Sequence, residues 1–291
     1  MLFANCHLHS TFSDGVYTPE ELVELAAQLG HKALILTDHD TVKGTYRLQK
    51  AARKKGLLSI LGCEFSTVGL GTSFHLCGFD FNPDDPDMKK LLERVSLKQT
   101  SRSKLLYQWG LEEGTVRGNV DWQEVLDFFP ENDYFCNNQV FDTLVAKGVY
   151  TRDEYFSFLR PAFSYSVPGR EKKIAEITGL HDPNIEDVVN IIRKAGGVPV
   201  VAHPVKKIKY VDELLKMGVM GFETIYPDLS EEEAAYFSEL CDEKGLYKMG
   251  GTDHYSVLGG VAGRVPGNDI PPDTGGVTEE DFMKIYRREL G

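Results

Sequence analysis

Short apolar segments that end in histidine or in an acidic residue are the feature that most restricts the fold of this chain. The chain has eight histidines, and six of them lie in or directly after such segments: His7, His9, His39, His75, His203 and His254. Amphipathic stretches of helical length separate the segments. Strands that alternate with helices and end in polar residues are typical of a (β/α) barrel or an open doubly wound sheet. The pattern therefore predicts an α/β fold.

The first third of the chain contains four predicted strands and two predicted helices. The strands are LFANCHLH, ALILTDHD, LLSILGCEF and TSFHLCGFDF. A helix is predicted to begin after Thr18, because Pro19 suits the first helical position and Glu21 completes a capping box. This helix ends at Gly30, and a second helix is predicted over residues 41–55.

The last third of the chain repeats this alternation, whereas the middle does not. The predicted strands of the last third are VPVVAHP, VMGFETIYP and LYKMGGTDHY, and Asp182 is the predicted cap of the helix before them. From about residue 90 to about residue 180 the stretches are helical, with no clear buried strand. We therefore predict one discontinuous α/β domain, residues 1–90 and 182–291, with residues 91–181 as a mainly helical insertion.

The charge balance limits the partners that the chain can bind. A formal net charge of −12 argues against a broad basic face for nucleic acid, but phosphorylated substrates stay open because bound divalent ions would supply positive charge. No apolar run approaches the roughly 18–20 residues that span a bilayer, and no secretory signal is visible. The five cysteines include no CxxC pair, which favours reduced, buried thiols. We therefore expect a cytoplasmic protein with no membrane partner.

Histidines and carboxylates at the predicted strand ends indicate a site for several metal ions. Residues two apart in a strand share a face, so His7 and His9 point together and can bind one ion. Asp14, Glu64 and Asp253 accompany the histidines along the chain. The carboxyl ends of parallel strands meet at one rim, which would gather these side chains. Imidazole and carboxylate ligands together suit Zn, Mn or Fe(II) rather than calcium.

Six ordered motifs connect the sequence to a known family. In chain order they are HLHSTFSDG, TDHD, GCE, the following FH, VVAHP and GGTDH. In order and spacing they resemble the motifs of the PHP (polymerase and histidinol phosphatase) family, over roughly residues 1–80 and 185–260. The resemblance is closest to the small stand-alone phosphoesterases that carry a helical insertion between the fourth and fifth motifs. Members of that group hydrolyse the 3′-phosphate of nucleoside 3′,5′-bisphosphates, and some trim RNA from its 5′ end.

The resemblance implies a distorted (β/α)7 barrel with two or three divalent metal ions, Mn, Zn or Fe, at one rim. Carried over to this chain, the implied ligands are His7, His9, Glu64 and Asp253 for the first ion, Glu64, His75 and His203 for the second, and Asp14, His39 and His254 for the third. The family usually has Asp-x-His at the last motif, whereas Asp253 and His254 are adjacent here. Adjacent strand residues face opposite ways, so these two can share a site only if the chain turns sharply.

The resemblance also implies catalysis by a metal-activated water molecule, with no side-chain nucleophile. Asp38, beside His39, is expected either to orient a ligand imidazole or to cap the helix that follows. Lys206 stands where relatives often carry arginine, which makes it a candidate contact for the substrate phosphate; the alternative is a solvated lysine in the run KKIK. Arg102 and Arg170 in the insertion are further candidates for that contact.

These observations predict a metal-dependent phosphoric ester hydrolase that acts on a phosphate monoester of a small nucleotide, similar to a 3′,5′-nucleoside bisphosphate. The helical insertion can cover a base, which favours a nucleotide over histidinol phosphate or a sugar phosphate; short RNA ends are a further alternative substrate. A metal amidohydrolase also uses HxH on a barrel, but a carbamylated lysine commonly bridges its metals where Glu64 stands here. A non-catalytic metal-binding module would show gaps among the ligands, and every expected position holds a competent residue.

Overall fold

The computed structural model describes residues 3–164, 167–253 and 275–290. The strands of these ranges are β1 (Ala4–Asn5), β2 (Ala33–Leu34), β3 (Gly62–Gly69), β4 (Thr72–Phe79), β5 (Val198–Val201), β6 (Gly221–Ile225) and β7 (Tyr247–Gly250). The α-helices are α1 (Pro19–Gln28), α2 (Lys43–Lys55), α3 (Pro86–Glu112), α4 (Trp122–Phe128), α5 (Asn137–Ala146), α6 (Tyr155–Phe163), α7 (Arg170–Thr178), α8 (Ile185–Lys194), α9 (Val211–Lys216), α10 (Glu231–Lys244) and α11 (Glu279–Tyr286). Short 3-10 helices lie at Arg152–Glu154 and Ile208–Tyr210.

Two helix starts test the capping residues predicted from the sequence. The side chain of Thr18 accepts from the N–H of Glu21, and the carboxylate of Glu21 accepts from the N–H of Thr18, so the capping box predicted for α1 is confirmed. The prediction that Asp182 caps the later helix is wrong. Helix α8 begins after Asn184, whose side chain accepts from the N–H of Glu186. Asp182 therefore does not cap this helix.

The strands form two hydrogen-bonded sheets within a mixed α/β fold. Strand β1 pairs in parallel with β2, and strands β3 to β7 form one sheet in chain order. Strand β4 runs antiparallel to both of its neighbours, whereas β5, β6 and β7 are parallel. Isolated bridges link the two sheets at both sides, since Leu8 pairs with Asp253 and His39 pairs with Glu64. The segments that carry the histidines are thus neighbours in space.

The first two strands are shorter than predicted. Each pairs over two residues only, although the apolar segments around them continue. Beyond Leu34 the Thr37 hydroxyl accepts from the N–H of Leu8 and donates to the Leu8 carbonyl, both at 3.2 Å. The N–H of Thr37 still donates to the Leu8 carbonyl, at 2.8 Å, but a hydroxyl rather than a backbone carbonyl accepts from Leu8, so the regular ladder is interrupted here.

The described residues between 86 and 178 contain helices and no strand. From the second half of α3 onwards these helices pack around a hydrophobic cluster of their own, which includes Leu106, Phe141, Phe158 and Phe163. The first half of α3 instead packs with strands β3 and β4 through Met88, Leu91 and Val95. Helix α3 therefore connects two hydrophobic clusters.

Within the described ranges, no helix combines the length and the apolar character needed to cross a bilayer. The cytoplasmic location stays a prediction.

Candidate metal centre

Glu64 lies at the centre of a cluster of histidines. It is the third residue of β3, not the last residue of its strand, and it is fully buried. Its Oε1 lies 3.0 Å from Nδ1 of His75 and 2.9 Å from Nε2 of His203. Its Oε2 lies within 3.2 Å of a ring nitrogen of three further histidines: His7, His9 and His39. One carboxylate therefore contacts histidines from four segments of the chain.

The strands bring these side chains together, but not all in the predicted way. His7 and His9 follow β1, and His203 follows β5, as expected for residues at the ends of parallel strands. His75 is the fourth residue of β4, which is antiparallel to both neighbours. The beginning of β4, rather than its end, therefore lies at the cluster. The assumption that every candidate ligand follows a parallel strand is wrong for His75.

Among the residues that the structure describes, four groups of His, Cys, Asp and Glu side chains have potential ligand atoms that, within each group, all lie within 4.8 Å of one another. These groups are His7, His9, Glu64 and Asp253; His7, Cys77 and Glu223; His9, Asp14 and His39; and His39, Glu64 and His75. The first group contains the four residues predicted for the first ion. The third contains Asp14 and His39 as predicted, together with His9. His254, predicted for that third position, lies outside the described residues.

His254 lies outside the described residues, but the backbone of Asp253 departs from extended strand geometry. Its φ angle is 65°, in the left-handed region, and its Oδ1 lies 2.9 Å from Nε2 of His9. His203 also has a positive φ angle, of 29°. Such conformations cost about 1–3 kcal/mol each in non-glycine residues and concentrate at functional sites. Two candidate ligands are thus held by strained backbone.

The chemistry of the clustered atoms fits a bound cation. Among the described residues, Nδ1 of His39 and Oε2 of Glu64 are buried without a hydrogen-bond partner and lie 3.2 Å apart. Buried polar atoms are nearly always hydrogen-bonded, and an unsatisfied one costs about 1–3 kcal/mol. Nε2 of His7 and Nε2 of His9 also face each other at 3.2 Å. Nitrogen and carboxylate lone pairs converge here, and Zn, Mn and Fe accept this set of ligands.

Burial and neighbouring carboxylates set the protonation of the cluster. Burial lowers the pKa of His39 to about 4, so its ring is neutral near pH 7. At His7 burial also acts to lower the pKa, but the carboxylates of Glu223 and Glu64 outweigh it and raise the pKa well above its usual value. A proton therefore stays on His7 unless a cation replaces it, because a metal ligand must be a neutral imidazole.

Glu223, on β6, is a member of the site that sequence reasoning missed. It is fully buried; its Oε1 accepts from Nδ1–H of His7 at 2.6 Å, and its Oε2 accepts from the backbone N–H of His203 at 2.5 Å. The hydrogen bond fixes the ring of His7 so that Nε2 faces the cluster. The signal was present in the sequence, since a carboxylate inside an apolar strand requires a buried partner.

Asp38 acts indirectly on the cluster. It is buried and accepts from the N–H of Ser10 at 2.7 Å and from the hydroxyl of Ser13 at 2.6 Å. Ser13 Oγ lies 3.4 Å from Nδ1 of His9, so Asp38 reaches that imidazole through Ser13. The alternative role as a helix cap is wrong, because the residue that caps α2 is Val42.

A cavity of about 510 Å³ opens beside the cluster. It is lined by Asp14, His39 and His75 of the cluster, by residues of the β3–β4 hairpin and α3, and by the start of α5. Lys98 on α3 is the only lysine or arginine among the described residues that line it, and its ammonium pairs with Asp182 at 2.5 Å. Asp182 itself also lines the cavity. A volume of this size accommodates a small-molecule ligand.

The three residues predicted to contact phosphate are not among the described residues that line this cavity. Arg102 is 1% exposed and pairs with Glu171 at 2.7 Å. Arg170 pairs with Glu113 and donates to the carbonyl of Ala162. Both arginines thus connect helices of the middle region. The two arginines carry the same charge as Lys98, but only Lys98 lines this cavity among the three residues.

The neighbouring lysine of the KKIK run lies closer to the cluster than the predicted Lys206 does. A second cavity, of about 360 Å³, borders His75 and His203 and is lined by Lys207 and Tyr226. The ammonium of Lys207 donates to the hydroxyl of Thr72 at 3.1 Å. Lys206, at a φ angle of 57°, donates its backbone N–H to a glutamate on α10. The cluster is therefore accessible from two sides.

Comparisons with known proteins agree with this geometry. The PHP domain family model matches residues 5–135. A phosphoribosyl 1,2-cyclic phosphate 1,2-diphosphodiesterase from Eggerthella lenta is 26% identical over 275 residues, which cover 91% of this chain and 97% of that protein. A 3′,5′-nucleoside bisphosphate phosphatase from Chromobacterium violaceum is 26% identical over 291 residues, 97% of each chain. A 5′-3′ exoribonuclease from Haemophilus influenzae is 29% identical over 208 residues, 69% of this chain and 68% of that protein.

Two solved structures have similar folds. A proposed metal-dependent phosphoesterase from Bifidobacterium adolescentis superposes with a TM-score of 0.74 at 25% identity, covering 99% of this chain and 96% of that one. An amidohydrolase from Chromobacterium violaceum, solved with sulfate and without metal, has a TM-score of 0.70 at 23% identity over 92% of this chain and 89% of that one, which shows the fold alone. The ordered motifs, the fold and these similarities agree, and residues 5–135 of the chain match the PHP domain family.

Proposed function

We propose that this protein is a metal-dependent phosphoesterase that hydrolyses a phosphate monoester of a small nucleotide similar to a 3′,5′-nucleoside bisphosphate. The observation that carries the proposal is the position of Glu64. Its two carboxylate oxygens contact separate sets of histidines beside a cavity of about 510 Å³. A carboxylate shared in this way is suited to bridge two cations at the wall of a substrate cavity.

The ligand sets of the proposal follow the clustered side chains. We assign the first ion to His7, His9, Glu64 and Asp253, the second to Glu64, His75 and His203, and the third to Asp14, His39 and either His9 or His254. Mn, Zn or Fe bound there would polarise the phosphoryl oxygens and lower the pKa of water to generate the nucleophile. The protein's own contribution is to hold these side chains in place and to exclude bulk water. No side-chain nucleophile is required.

The cavity supports a small phosphorylated substrate. Lys98 offers an ammonium that can bind a second anionic group, and the hydroxyls of Ser66 and Ser73 offer hydrogen bonds. Tyr134 provides an aromatic side chain at the same wall, where a base can stack. This combination suits a nucleotide with two phosphates better than a sugar phosphate, which has no base.

The scaffold proposed for this site is the distorted (β/α)7 barrel, residues 1–90 and 182–291, with residues 91–181 as the insertion. Support comes from the isolated bridges that connect the two sheets at both sides. The separate hydrophobic cluster of the helices between α3 and α7 supports the insertion. The cavity between the cluster and helices α3 and α5 supports its position over the active site.

Other functions are favoured less by the site. Cyclic phosphate and RNA ends are substrates named for relatives, and both would bring a phosphate to the same ions. An amidohydrolase with a carbamylated lysine would need that lysine where Glu64 lies, and here a carboxylate in contact with five histidines occupies the position. A metal-binding module without activity would not need the adjoining cavity.

Phosphate release from a substrate panel tests the proposal. The purified protein, loaded in turn with Mn²⁺, Zn²⁺ and Fe²⁺, would be given 3′,5′-nucleoside bisphosphates, nucleoside monophosphates, histidinol phosphate, sugar phosphates, a cyclic phosphate and a short 5′-phosphorylated RNA. We expect the highest kcat/KM on a bisphosphate. Glu64→Gln should abolish turnover, whereas Glu239→Gln on the exposed surface of α10 should not. Absence of turnover on every phosphoester, with metal bound, would refute the phosphoesterase assignment.

A further inference from the structure

The loop that carries Asp14 is held from two sides. On the barrel side, Asp38 accepts from the N–H of Ser10 and from the hydroxyl of Ser13. At the end of the loop, a Cβ on Gly15 would lie 2.1 Å from the carbonyl oxygen of His9, so this close turn requires glycine. These contacts hold Ser10, Ser13 and Gly15 in place. They leave open what holds the backbone at Asp14 itself.

The helical region supplies the contacts on the other side. The Nδ2 amide of Asn138 donates to the carbonyl of Asp14 at 2.8 Å. The Nε2 amide of Gln139 donates to the carbonyls of Ser13 and Thr11. Both amides belong to the first turn of α5. Three carbonyl groups of the loop, at Thr11, Ser13 and Asp14, therefore accept hydrogen bonds from side chains in a distant part of the chain.

The two amides are themselves fixed in orientation. Asn138 and Gln139 are each 1% exposed. The hydroxyl of Tyr155 donates to Oδ1 of Asn138 at 2.6 Å. The backbone N–H of Cys136 donates to Oε1 of Gln139 at 2.8 Å, which is part of the capping box of α5. Because each oxygen is already occupied as an acceptor, each NH₂ group must face the loop.

We infer that Asn138 and Gln139 are positioning residues that hold Asp14 in reach of the ion bound with His9 and His39. The inference rests on the ion position proposed above for these three side chains. Nδ1 of His9 lies 3.4 Å from Oδ1 of Asp14, and Nε2 of His39 lies 3.9 Å from its Oδ2. A displaced loop would widen both distances, while Glu64 on β3, His75 on β4 and His203 after β5 would stay in place. The helical region is then a structural part of the metal centre and not only a cover.

Isosteric substitutions test this role. Asn138→Asp and Gln139→Glu keep the oxygen that Tyr155 or Cys136 contacts, but they replace the NH₂ donor by an acceptor that faces a carbonyl. We expect each variant to bind one metal ion fewer than the wild type, or to bind its weakest ion about 10–100-fold less tightly. The readouts are metal content after gel filtration and metal titration by calorimetry, which need no known substrate.

Three controls make the result specific. Gln123→Glu makes the same chemical change at an exposed amide of α4 and should leave the metal content unchanged. Asp14→Asn removes the proposed ligand directly and should lose the same ion. Asn138→Ala removes the donor without adding a charge, and it serves as the test variant if the isosteric variants do not fold, as judged by circular dichroism and thermal melting.

Two outcomes would overturn the inference. One is a folded Asn138 or Gln139 variant with the full metal content and affinity of the wild type. The other is an Asp14→Asn variant with unchanged metal content, since no third ion would then depend on the loop. Failure of the proposed function is distinguishable, because a protein that binds three ions but hydrolyses no phosphoester would still show the loss of one ion in these variants.

Discussion

The pair formed by Glu223 and His7 shows how a single buried contact can prepare a metal ligand. The carboxylate accepts the proton on Nδ1, so the lone pair of Nε2 is directed at Glu64 and His9. It also accepts from the backbone N–H of His203, which connects β6 to the segment after β5. A charged acceptor makes the imidazole a stronger base and a better ligand.

We expect Glu223→Gln to weaken metal binding by about 10–100-fold. A neutral amide no longer makes the ring of His7 more basic, and its NH₂ group meets an N–H donor of His7 or His203. Calorimetric titration with Mn²⁺ measures the effect. Glu239→Gln, which removes the same charge from the surface, is the control. Equal affinity in both variants would show that Glu223 does not support the site.

Substitution of Lys98 should change the affinity for substrate rather than the affinity for metal. We expect Lys98→Met to raise KM for a 3′,5′-bisphosphate by about ten- to a hundredfold, because a charge-assisted hydrogen bond contributes about 1.5–3 kcal/mol. The KM for a monophosphate should change less. Steady-state kinetics on both substrates measure the difference, with Lys104→Met on the exposed face of α3 as the control. A uniform loss on both substrates would argue against a second anionic subsite.

Sequence reasoning at this scale found the clustered histidines and the carboxylates beside them, Asp14, Glu64 and Asp253, but not Glu223 or Lys98. His7 and His9 were predictable because a two-residue spacing in a strand has one geometric meaning. Lys98 was not predictable, because α3 carries several basic residues and tertiary packing determines which of them faces the cavity. Arg102, four residues later on α3, has the same charge but ends in a buried ion pair with Glu171.

At the scale of elements, the β3–β4 hairpin is the main difference from the predicted arrangement. Its two loop residues, Leu70 and Gly71, have φ angles of 49° and 76°, which are typical of a type I′ turn. The usual Asn-Gly or Asp-Gly signal for this turn is absent, and leucine rarely adopts a positive φ angle. The sequence therefore contains strong signals for both strands and a weak one for their antiparallel pairing.

The end of β7 packs closely against β1 and the segment after it. A Cβ on Gly251 would lie 2.4 Å from Oδ1 of Asn5 and 2.5 Å from the backbone nitrogen of His7. We expect Gly251→Ala to reduce the free energy of unfolding by about 1–3 kcal/mol through overpacking. It should also weaken metal binding, because the displaced backbone carries His7.

Chemical denaturation and metal titration of the Gly251→Ala variant measure the two effects. An exposed alanine substitution elsewhere, Gln28→Ala at the end of α1, controls for the change to alanine itself. Wild-type stability together with wild-type metal affinity would mean that the two segments tolerate separation.

For the whole molecule, the bound ions are expected to contribute to stability. Each site adds about 2.7 kcal/mol when the free ion is at a hundred times its Kd. We therefore expect a strong chelator to lower Tm by about 5 °C or more, and added Mn²⁺ to restore it. Differential scanning calorimetry measures the shift. The Glu64→Gln variant should show a much smaller one, and an equal shift in both proteins would place the effect outside this cluster.

The α/β class of the whole chain was predictable from the alternation of strands and helices, and the helical middle from its lack of apolar strands. The limits of β1 and β2 were not predictable, because the side chain of Thr37, and not a backbone carbonyl, accepts from the N–H of Leu8. The contacts between the helical region and the loop at Asp14 were not predictable either. They join residues more than a hundred positions apart through side-chain amides, which leave no periodic pattern in the sequence.

The shared carboxylate of Glu64 has a consequence for how the protein would fill with metal. Its two oxygens serve different histidines, so adjacent positions draw on one negative charge. The first cation to bind would neutralise part of that charge. The next cation would bind to a less negative site and would be repelled by the first. Loading should therefore proceed in steps of decreasing strength. Partly filled forms would accumulate when the metal is scarce, and the metal supply of the host cell would set the fraction of active molecules.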